Sequence, residues 1–212
     1  MEEIAKRGYL HEDFRLFHIR DQVELELHYH YHEFNKIVVF LSGKVTYVVE
    51  GKSYFLQPWD VLLVPRGQIH WPSIDPSEPY ERIILWINSD YLEAHSTPEA
   101  DLLQCFRLAE ARKFALLRLE AAARPQIRGL LGAVEDALIS REFGSDLWAR
   151  SGFFAIHGGG QPHRPAGRHQ PGPGRLRSDP KSRRSFPISM KTWMRTFPWT
   201  PLQSGFTSAN PT

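Results

Sequence analysis

Four histidines carry most of the reactive potential of this 212-residue sequence. His28, His30 and His32 alternate within one short run, and His70 follows far downstream. Alternate residues of a β-strand point to the same face, so the three imidazoles of the run would share one side of a sheet. Clustered imidazoles bind a divalent metal or hydrogen-bond a polar ligand. Histidines on a solvated strand face are the simpler alternative, and spacing alone leaves both open.

Short apolar segments around these histidines predict an all-β region from about residue 15 to residue 87. They are rich in β-branched and aromatic residues and occupy positions 37–41, 45–49, 54–56, 61–64 and 82–87. Glycine or proline closes most of them, at Gly43, Gly51, Pro58 and Pro65. Short strands with such punctuation at close spacing are typical of a sandwich or a barrel.

A helical pattern replaces the strands after residue 95. Ser96 and Glu99 fit a capping box, which predicts a helix to about residue 112, and a last strand is expected over 114–119. The clearest helix is predicted over 125–143, closed by Gly144. Its apolar residues recur at helical spacing and form one stripe: Ile127, Leu130, Leu131, Val134 and Leu138. Such a stripe belongs either to the core or to a dimer interface.

The last 61 residues differ in composition from the rest. Residues 152–212 hold nine Lys and Arg against a single acid, Asp179, whereas residues 1–151 carry a net charge of −6. Glycine and proline are dense there and no periodicity persists. We therefore predict three units: a barrel over 1–95, a helical segment over 96–151, and an unstructured basic tail over 152–212.

Compartment and redox chemistry follow from absent features. Cys105 is the only cysteine, which excludes an internal disulfide framework and a cysteine-based zinc site. The sequence shows neither a signal peptide nor an apolar run long enough for a transmembrane helix. We expect a soluble, cytoplasmic protein without a membrane partner.

The punctuated β region resembles the two sequence motifs of the cupin superfamily, and most closely the N-terminal domain of AraC-type transcription regulators. The residues that carry the resemblance are His30, His32, Gly43, Gly51, Pro58, Asp60, Pro65, Gly67 and His70. The match is good over residues 24–87 and loose over 88–151. It implies a mainly β fold, a cupin-like double-stranded β-helix (jelly roll) followed by two or three α-helices.

The same resemblance bears on the site. Metal-binding cupins use two histidines and a glutamate from the first motif and a histidine from the second. His30, His32 and His70 match the histidine places, but Lys36 stands in the glutamate place, and an ammonium group repels a cation. Glu33 lies on the wrong strand phase to replace it. We therefore predict a ligand-binding site of these three histidines and Lys36, with no cofactor and no metal; any metal would sit on the histidines.

The resemblance also implies a function, that of a transcription regulator and not an enzyme. AraC-type regulators sense a small effector in the cupin, form homodimers through the following helices, and bind operator DNA through C-terminal helix-turn-helix units. We expect a sugar or anionic metabolite as effector, and Trp71 and Trp86 either line its pocket or belong to the core. The alternatives are a stand-alone metal-dependent cupin enzyme, a dioxygenase or isomerase, and a sugar-binding module without regulatory output.

The DNA-binding half is not recognisable in the tail, and a change of reading frame explains this. The single codons of methionine and tryptophan constrain the neighbouring frames. In one frame, Met190, Trp193 and Trp199 force acidic residues, and codons 184–212 permit the opening of an AraC-type DNA-binding domain. The other frame permits a continuing helix over 155–163 but meets a stop at Met190. We therefore predict that a frameshift removed the DNA-binding half, so that operator DNA would be bound only after restoration of the frame.

Overall fold

The computed structural model of the protein describes residues 5–22 and 28–159. The strands in these ranges are β1 (Ala5–Lys6), β2 (Phe14–Asp21), β3 (His30–Tyr31), β4 (Asn35–Ser42), β5 (Lys44–Val49), β6 (Lys52–Phe55), β7 (Asp60–Val64), β8 (His70–Asp75), β9 (Tyr80–Ile87) and β10 (Leu116–Arg118). The helices are α1 (Ser89–Ala94), α2 (Gln104–Arg112), α3 (Arg124–Ile139) and α4 (Ser145–Gly159). Within the described ranges, no helix is long and apolar enough to cross a membrane.

The strands form two five-stranded sheets. The first has the order β1-β3-β8-β5-β6 and the second the order β10-β7-β4-β9-β2. All neighbouring strands pair antiparallel except the short parallel pair β1–β3. Each apolar segment identified in the sequence overlaps a strand, and β10 lies within the expected segment 114–119. The prediction of a mainly β fold followed by helices is confirmed.

The second sheet is buried on both faces. On β4, Val38 and Phe40 join the apolar cluster between the two sheets, which also contains Tyr47 of β5. Ile37 and Val39 point the other way, into a cluster shared with the helices. A strand covered on both sides needs no polar face, which explains why β4 reads as an uninterrupted apolar run.

A tight hairpin joins β5 to β6. Glu50 and Gly51 both adopt positive φ, at 48° and 75°. Two central residues of positive φ give the turn whose twist matches that of the flanking strands. Glu50 also accepts a hydrogen bond from the backbone N–H of Ile69 at 2.6 Å, which ties the turn to the loop before β8.

The motif residue Asp60 has a structural role. Its carboxylate is fully buried and accepts hydrogen bonds from the Arg118 guanidinium at 2.9 and 3.1 Å and from the backbone N–H of Gln57 at 2.8 Å. Because Arg118 belongs to β10, this pair fastens the outermost strand of the second sheet to β7.

The predicted stripe of α3 is mostly core. Ile127, Leu131 and Val134 are buried against the second sheet and α4, whereas Leu138 at the end of the stripe is 45% exposed. The helix ends at Ile139, four residues before the predicted end. Gly144, the expected stop, adopts a φ of 80° directly before α4.

The helix predicted over 96–112 is confirmed at its end, Arg112, but its predicted start at Ser96 is wrong. The Ser96 hydroxyl donates to the carbonyl of Leu92 at 2.8 Å and accepts from the N–H of Leu102 at 3.0 Å, so it bridges two segments and is not the N-cap of α2. α2 begins only at Gln104. The unforeseen helix α1 is capped by Asn88, which accepts from the N–H of Asp90 at 3.0 Å. The described ranges thus hold four helices where two or three were expected.

The predicted boundary at residue 151 also differs from the structure, because α4 continues to Gly159. Phe153 is fully buried, and the buried His157 ring makes a 2.7 Å hydrogen bond to the carbonyl of Leu102. Ala149, Phe153 and His157 recur every fourth residue along the buried face of α4, a signal that the averaged composition of the tail concealed. The prediction of an unstructured tail over 160–212 lies outside the described residues.

Two helical glycines provide a test of the α3–α4 contact. A methyl group at Gly152 would lie 2.5 Å from the Val134 side chain, whereas one at the exposed Gly129 would meet nothing within 4 Å. We predict that Gly129→Ala raises the free energy of unfolding by about 0.5–1 kcal/mol through helix propensity. Gly152→Ala should lower it by about 1–3 kcal/mol through overpacking.

Urea denaturation of both variants measures the difference. Combining Gly152→Ala with Val134→Ala should cost less than the sum of the two single changes, because the added methyl then fills the space released by valine. An increase in stability on Gly152→Ala alone would show that α4 does not pack on α3 at this point.

Candidate functional site

Strand pairing brings the histidines together from two distant segments. His30 on β3 lies directly opposite His70 on β8, and their ring centroids are 4.2 Å apart. His32, just beyond β3, has its ring 4.7 Å from that of His70. His28 is exposed, and its backbone carbonyl contacts the His30 ring. The structure therefore groups the three histidines predicted for the site and leaves the fourth outside.

The backbone fixes the tautomer of all three rings. The Nδ1 atoms of His30, His32 and His70 lie 2.9, 2.8 and 3.0 Å from the carbonyl oxygens of residues 28, 34 and 68. A carbonyl oxygen only accepts hydrogen bonds, so each Nδ1 must carry the proton. In the neutral rings each Nε2 is then a hydrogen-bond acceptor.

Lys36 crosses the interior from the second sheet to the first. It lies on β4, in phase with the inward-facing Val38, and the residue is 8% exposed. Its Nζ donates to the Tyr47 hydroxyl of β5 at 2.8 Å and lies 3.4 Å from Nε2 of His70. The predicted site residue Lys36 thus links β4 to two strands of the opposite sheet, β5 and β8.

A cavity of about 340 Å³ opens at this point between the sheets. Its walls include His30, His32 and Lys36, while His70 is fully buried beneath Lys36. The remaining lining residues are Arg7, Gly8, Val38, Tyr47, Pro72, Ile74, Tyr80, Arg82, Ile84 and Trp86. Among the described lining residues there are three basic side chains and no carboxylate, so the cavity favours an anion over a cation.

Arg82 is one of several lining residues that the sequence did not predict, together with Arg7, Tyr47 and Tyr80. It is 7% exposed and pairs with Asp21 of the neighbouring strand at 2.6 Å. A second bond goes from the guanidinium to the carbonyl of Tyr80 at 3.1 Å. Strand alternation was the available signal, since Tyr80, Arg82 and Trp86 share a phase on β9 and all line the cavity.

Burial keeps the site low in charge. Burial, with a smaller contribution from the nearby Lys36, lowers the pKa of His32 to about 3. The same two causes, burial first, lower the pKa of His70 and that of His30. Burial also lowers the pKa of Lys36 to about 7, with a smaller contribution from the positive charge of Arg82. The three imidazoles are therefore neutral near pH 7, and the amine is only partly protonated.

Two buried polar atoms on the cavity wall have no hydrogen-bond partner among the described residues. One is the acceptor Nε2 of His32 and the other is the donor Nε1 of Trp86. Unsatisfied buried groups are costly, and a ligand with both donor and acceptor oxygens would satisfy them. Trp71, the other tryptophan considered for the pocket, packs against Tyr29 with their ring centroids 5.5 Å apart, and it is not among the lining residues.

The residues present do not fit a metal ion. The Lys36 amine lies within hydrogen-bond distance of His70 Nε2, the atom that a metal ion held by the histidines would have to approach. Glu33, the nearest acid in sequence, is exposed and pairs with Lys6 at 2.7 Å. In the part of the chain that the structure describes, no three His, Cys, Asp or Glu side chains form a group that could hold a metal.

Comparison with known proteins identifies the β region. The family model described as "Cupin domain" matches residues 17–87, so this part of the chain is a cupin domain. This confirms the cupin fold expected from the sequence motifs. No curated protein matches the chain.

Solved structures resemble the chain at low identity. An RmlC-like cupin from Shewanella frigidimarina NCIMB 400 is 18% identical over 36% of this chain and 68% of its own, with a TM-score of 0.33. A salicylate 1,2-dioxygenase from Pseudaminobacter salicylatoxidans is 21% identical over 35% and 22%, with a TM-score of 0.33. A putative mannose-6-phosphate isomerase from Ralstonia eutropha JMP134 is 18% identical over 36% and 76%, with the same score. None of these activities transfers to this chain at such identities.

The burial of Lys36 predicts a specific pH dependence of stability. Its pKa is about 7 in the folded protein and near the ordinary 10.5 in the unfolded chain. Between these values the unfolded state binds more protons, so the contribution of Lys36 to stability rises with pH and is lost as the pH falls through 7. Relative to Lys36→Met, the wild type should lose on the order of 2 kcal/mol between about pH 9 and about pH 6.

Denaturant unfolding at the two pH values measures this difference. Lys52→Met, at an exposed lysine, is the matched control and should shift by less than about 0.5 kcal/mol. Equal shifts for both variants would mean that the Lys36 amine is hydrated in the folded protein.

Proposed function

We propose that this chain is the effector-sensing and dimerisation part of an AraC-type transcription regulator, and that its cavity binds a small anionic metabolite. The motif resemblance supports the AraC-type family, and the cupin domain over 17–87 supports the cupin fold that this family implies. A regulator of this kind acts in the cytoplasm and is not an enzyme. The observation that carries the proposal is the combination of a basic cavity with added helices on the outer face of the second sheet.

The cavity supports ligand binding by its charge and its unsatisfied groups. Arg7 and Arg82 supply positive charge, Trp86 supplies a free donor, and His32 supplies a free acceptor. No carboxylate is among the described lining residues. Asp21 already pairs with Arg82, but the two arginines together leave net positive charge for a bound carboxylate or phosphate. A hydroxyl group on the same ligand would satisfy His32.

The helices support dimerisation through an exposed apolar surface where α3 passes into α4. We call it the apolar helix end; it comprises Leu138, Ile139, Phe143, Leu147 and Trp148, each at least 45% exposed. Contiguous large apolar side chains are unusual on a monomer's surface and typically mark an interface. A second copy of this chain is the partner that the proposed family implies.

The proposal retains the change of reading frame as the reason for the missing DNA-binding half. Because Phe153 and His157 are both buried on α4, at 0% and 4% exposure, we place the break after residue 157 and not at 152. Operator DNA is then a partner only of the restored protein. Codons 148–212 decide this part, since nonsense in both shifted frames would contradict it.

Sedimentation equilibrium of the full chain tests the dimer. We predict a dimer at micromolar concentration and at least a roughly tenfold weaker association for Trp148→Asp, because the change removes an aromatic anchor and would bury a charge. Phe55→Asp is the matched control: Phe55 is 64% exposed but lies on β6, away from the apolar helix end, and its loss should leave association unchanged.

Two results would overturn the proposal. One is a wild type that remains monomeric throughout. The other is stoichiometric iron, manganese or nickel in the purified protein that is lost on His30→Ala, which would favour the metal-dependent cupin enzyme, a dioxygenase or isomerase.

A further inference from the structure

The proposed anion site leaves one reactive group of the cavity without a role. Lys36 is the only lysine among the described residues that line the cavity, so its Nζ is the primary amine available to a bound ligand. An amine that is not protonated is a nucleophile toward aldehydes and ketones. Binding an anion by charge alone would be served better by arginine, which stays protonated at any physiological pH.

The surroundings of this amine favour its neutral form. Its Nζ donates to the Tyr47 hydroxyl at 2.8 Å and lies 3.4 Å from the Nε2 acceptor of His70. No carboxylate of the described residues pairs with it, and Arg82 adds like charge nearby. Desolvation without a counter-ion is the arrangement that activates lysine as a nucleophile. Two lysines outside the cavity differ, since Lys6 and Lys44 are paired with Glu33 and Glu78.

We propose that Lys36 binds a small 2-oxo acid covalently and reversibly, as an imine, within the anion-binding cavity. This inference rests on the proposed function, because the cavity must first bind the carboxylate of the ligand. Arg82 and Arg7 attract that carboxylate, and the free donor of Trp86 is available to one of its oxygens. A volume of about 340 Å³ limits the ligand to a small metabolite.

The reaction balances with groups that are present. The lone pair of Nζ attacks the ketone carbon, a C–N bond forms, and the carbonyl π electrons move to oxygen. The Tyr47 phenol protonates that oxygen, and burial, by raising the pKa of Tyr47, keeps the phenol protonated beforehand. The nitrogen, which became positively charged on attack, returns one proton to the Tyr47 phenolate and leaves a neutral carbinolamine. Tyr47 then protonates the carbinolamine hydroxyl, which leaves as water while the C=N bond forms, and it takes back the remaining proton of the nitrogen. Amine and ketone thus yield imine and one water, and no oxidant is needed.

Reductive trapping tests the proposal. The full chain is incubated with pyruvate and sodium cyanoborohydride, which converts an imine to a stable secondary amine, and is then analysed by intact mass and peptide mapping. We expect one adduct per chain, located on Lys36 in the wild type. Lys36→Met should lose it, and Lys52→Met, with the exposed lysine removed, should keep it. Tyr47→Phe should slow trapping by roughly a hundredfold, the usual loss for a proton donor.

Lactate, which has the carboxylate but no ketone, separates this inference from the proposed function. Thermal stabilisation by both lactate and pyruvate, without an adduct on Lys36, would overturn the imine and leave the anion site standing. Adducts spread over surface lysines and unchanged in Lys36→Met would also overturn it. Stabilisation by neither compound would reject a 2-oxo acid as the ligand. The dimer predicted for the regulator is tested independently, by sedimentation equilibrium.

Discussion

The hydrogen bond from the Lys36 amine to the Tyr47 hydroxyl joins the two sheets across the interior of the barrel. It places a titratable nitrogen in the interior, between the Tyr47 hydroxyl and the His70 ring, on a residue that is 8% exposed. The amine cannot be hydrated there as in water, so its protonation lowers the free energy of unfolding. The cavity chemistry follows from this constraint.

Burial also lowers the pKa of the three imidazoles. Each gives its Nδ1 proton to a backbone carbonyl, which orients Nε2 as an acceptor. In a metal site such acceptors would converge on the ion, and the outer hydrogen bonds would orient the ligands. Here one acceptor faces the Lys36 amine and another, on His32, is free to meet a ligand. In the proposed site, a single lysine in the glutamate place would therefore favour an organic anion over a metal ion.

The sequence predicted those features that depend on local pattern. Glycine and proline punctuation located the strands, and period-two spacing placed His30 and His32 on one side. It could not predict which side chain would meet Lys36, because the Tyr47 contact depends on how the two sheets pack. Arg82 is a single charged residue in an otherwise apolar strand, and only its position in the alternation of β9 indicates that it faces the cavity.

The boundary error has a different origin. Averaging the composition over 152–212 merged the end of a real helix with the basic stretch that follows it. Phe153 and His157 continue the four-residue spacing of α4, and a stepwise reading would have found them. Ser96 misled for a related reason, since its capping pattern is satisfied by a loop that connects α1 to α2.

The central claim is that His30, His32 and His70 are neutral and carry their protons on Nδ1, facing the Lys36 amine. Nitrogen-15 NMR of the imidazole rings in the full chain measures this directly, because the two neutral tautomers and the imidazolium have distinct shift patterns. At about pH 6, where an unperturbed histidine is mostly charged, the His32 and His70 rings should show the neutral Nδ1–H pattern, and the His30 ring should carry less charge than an unperturbed histidine. An imidazolium pattern for His32 or His70, or an Nε2–H pattern for any of the three rings, would contradict the account.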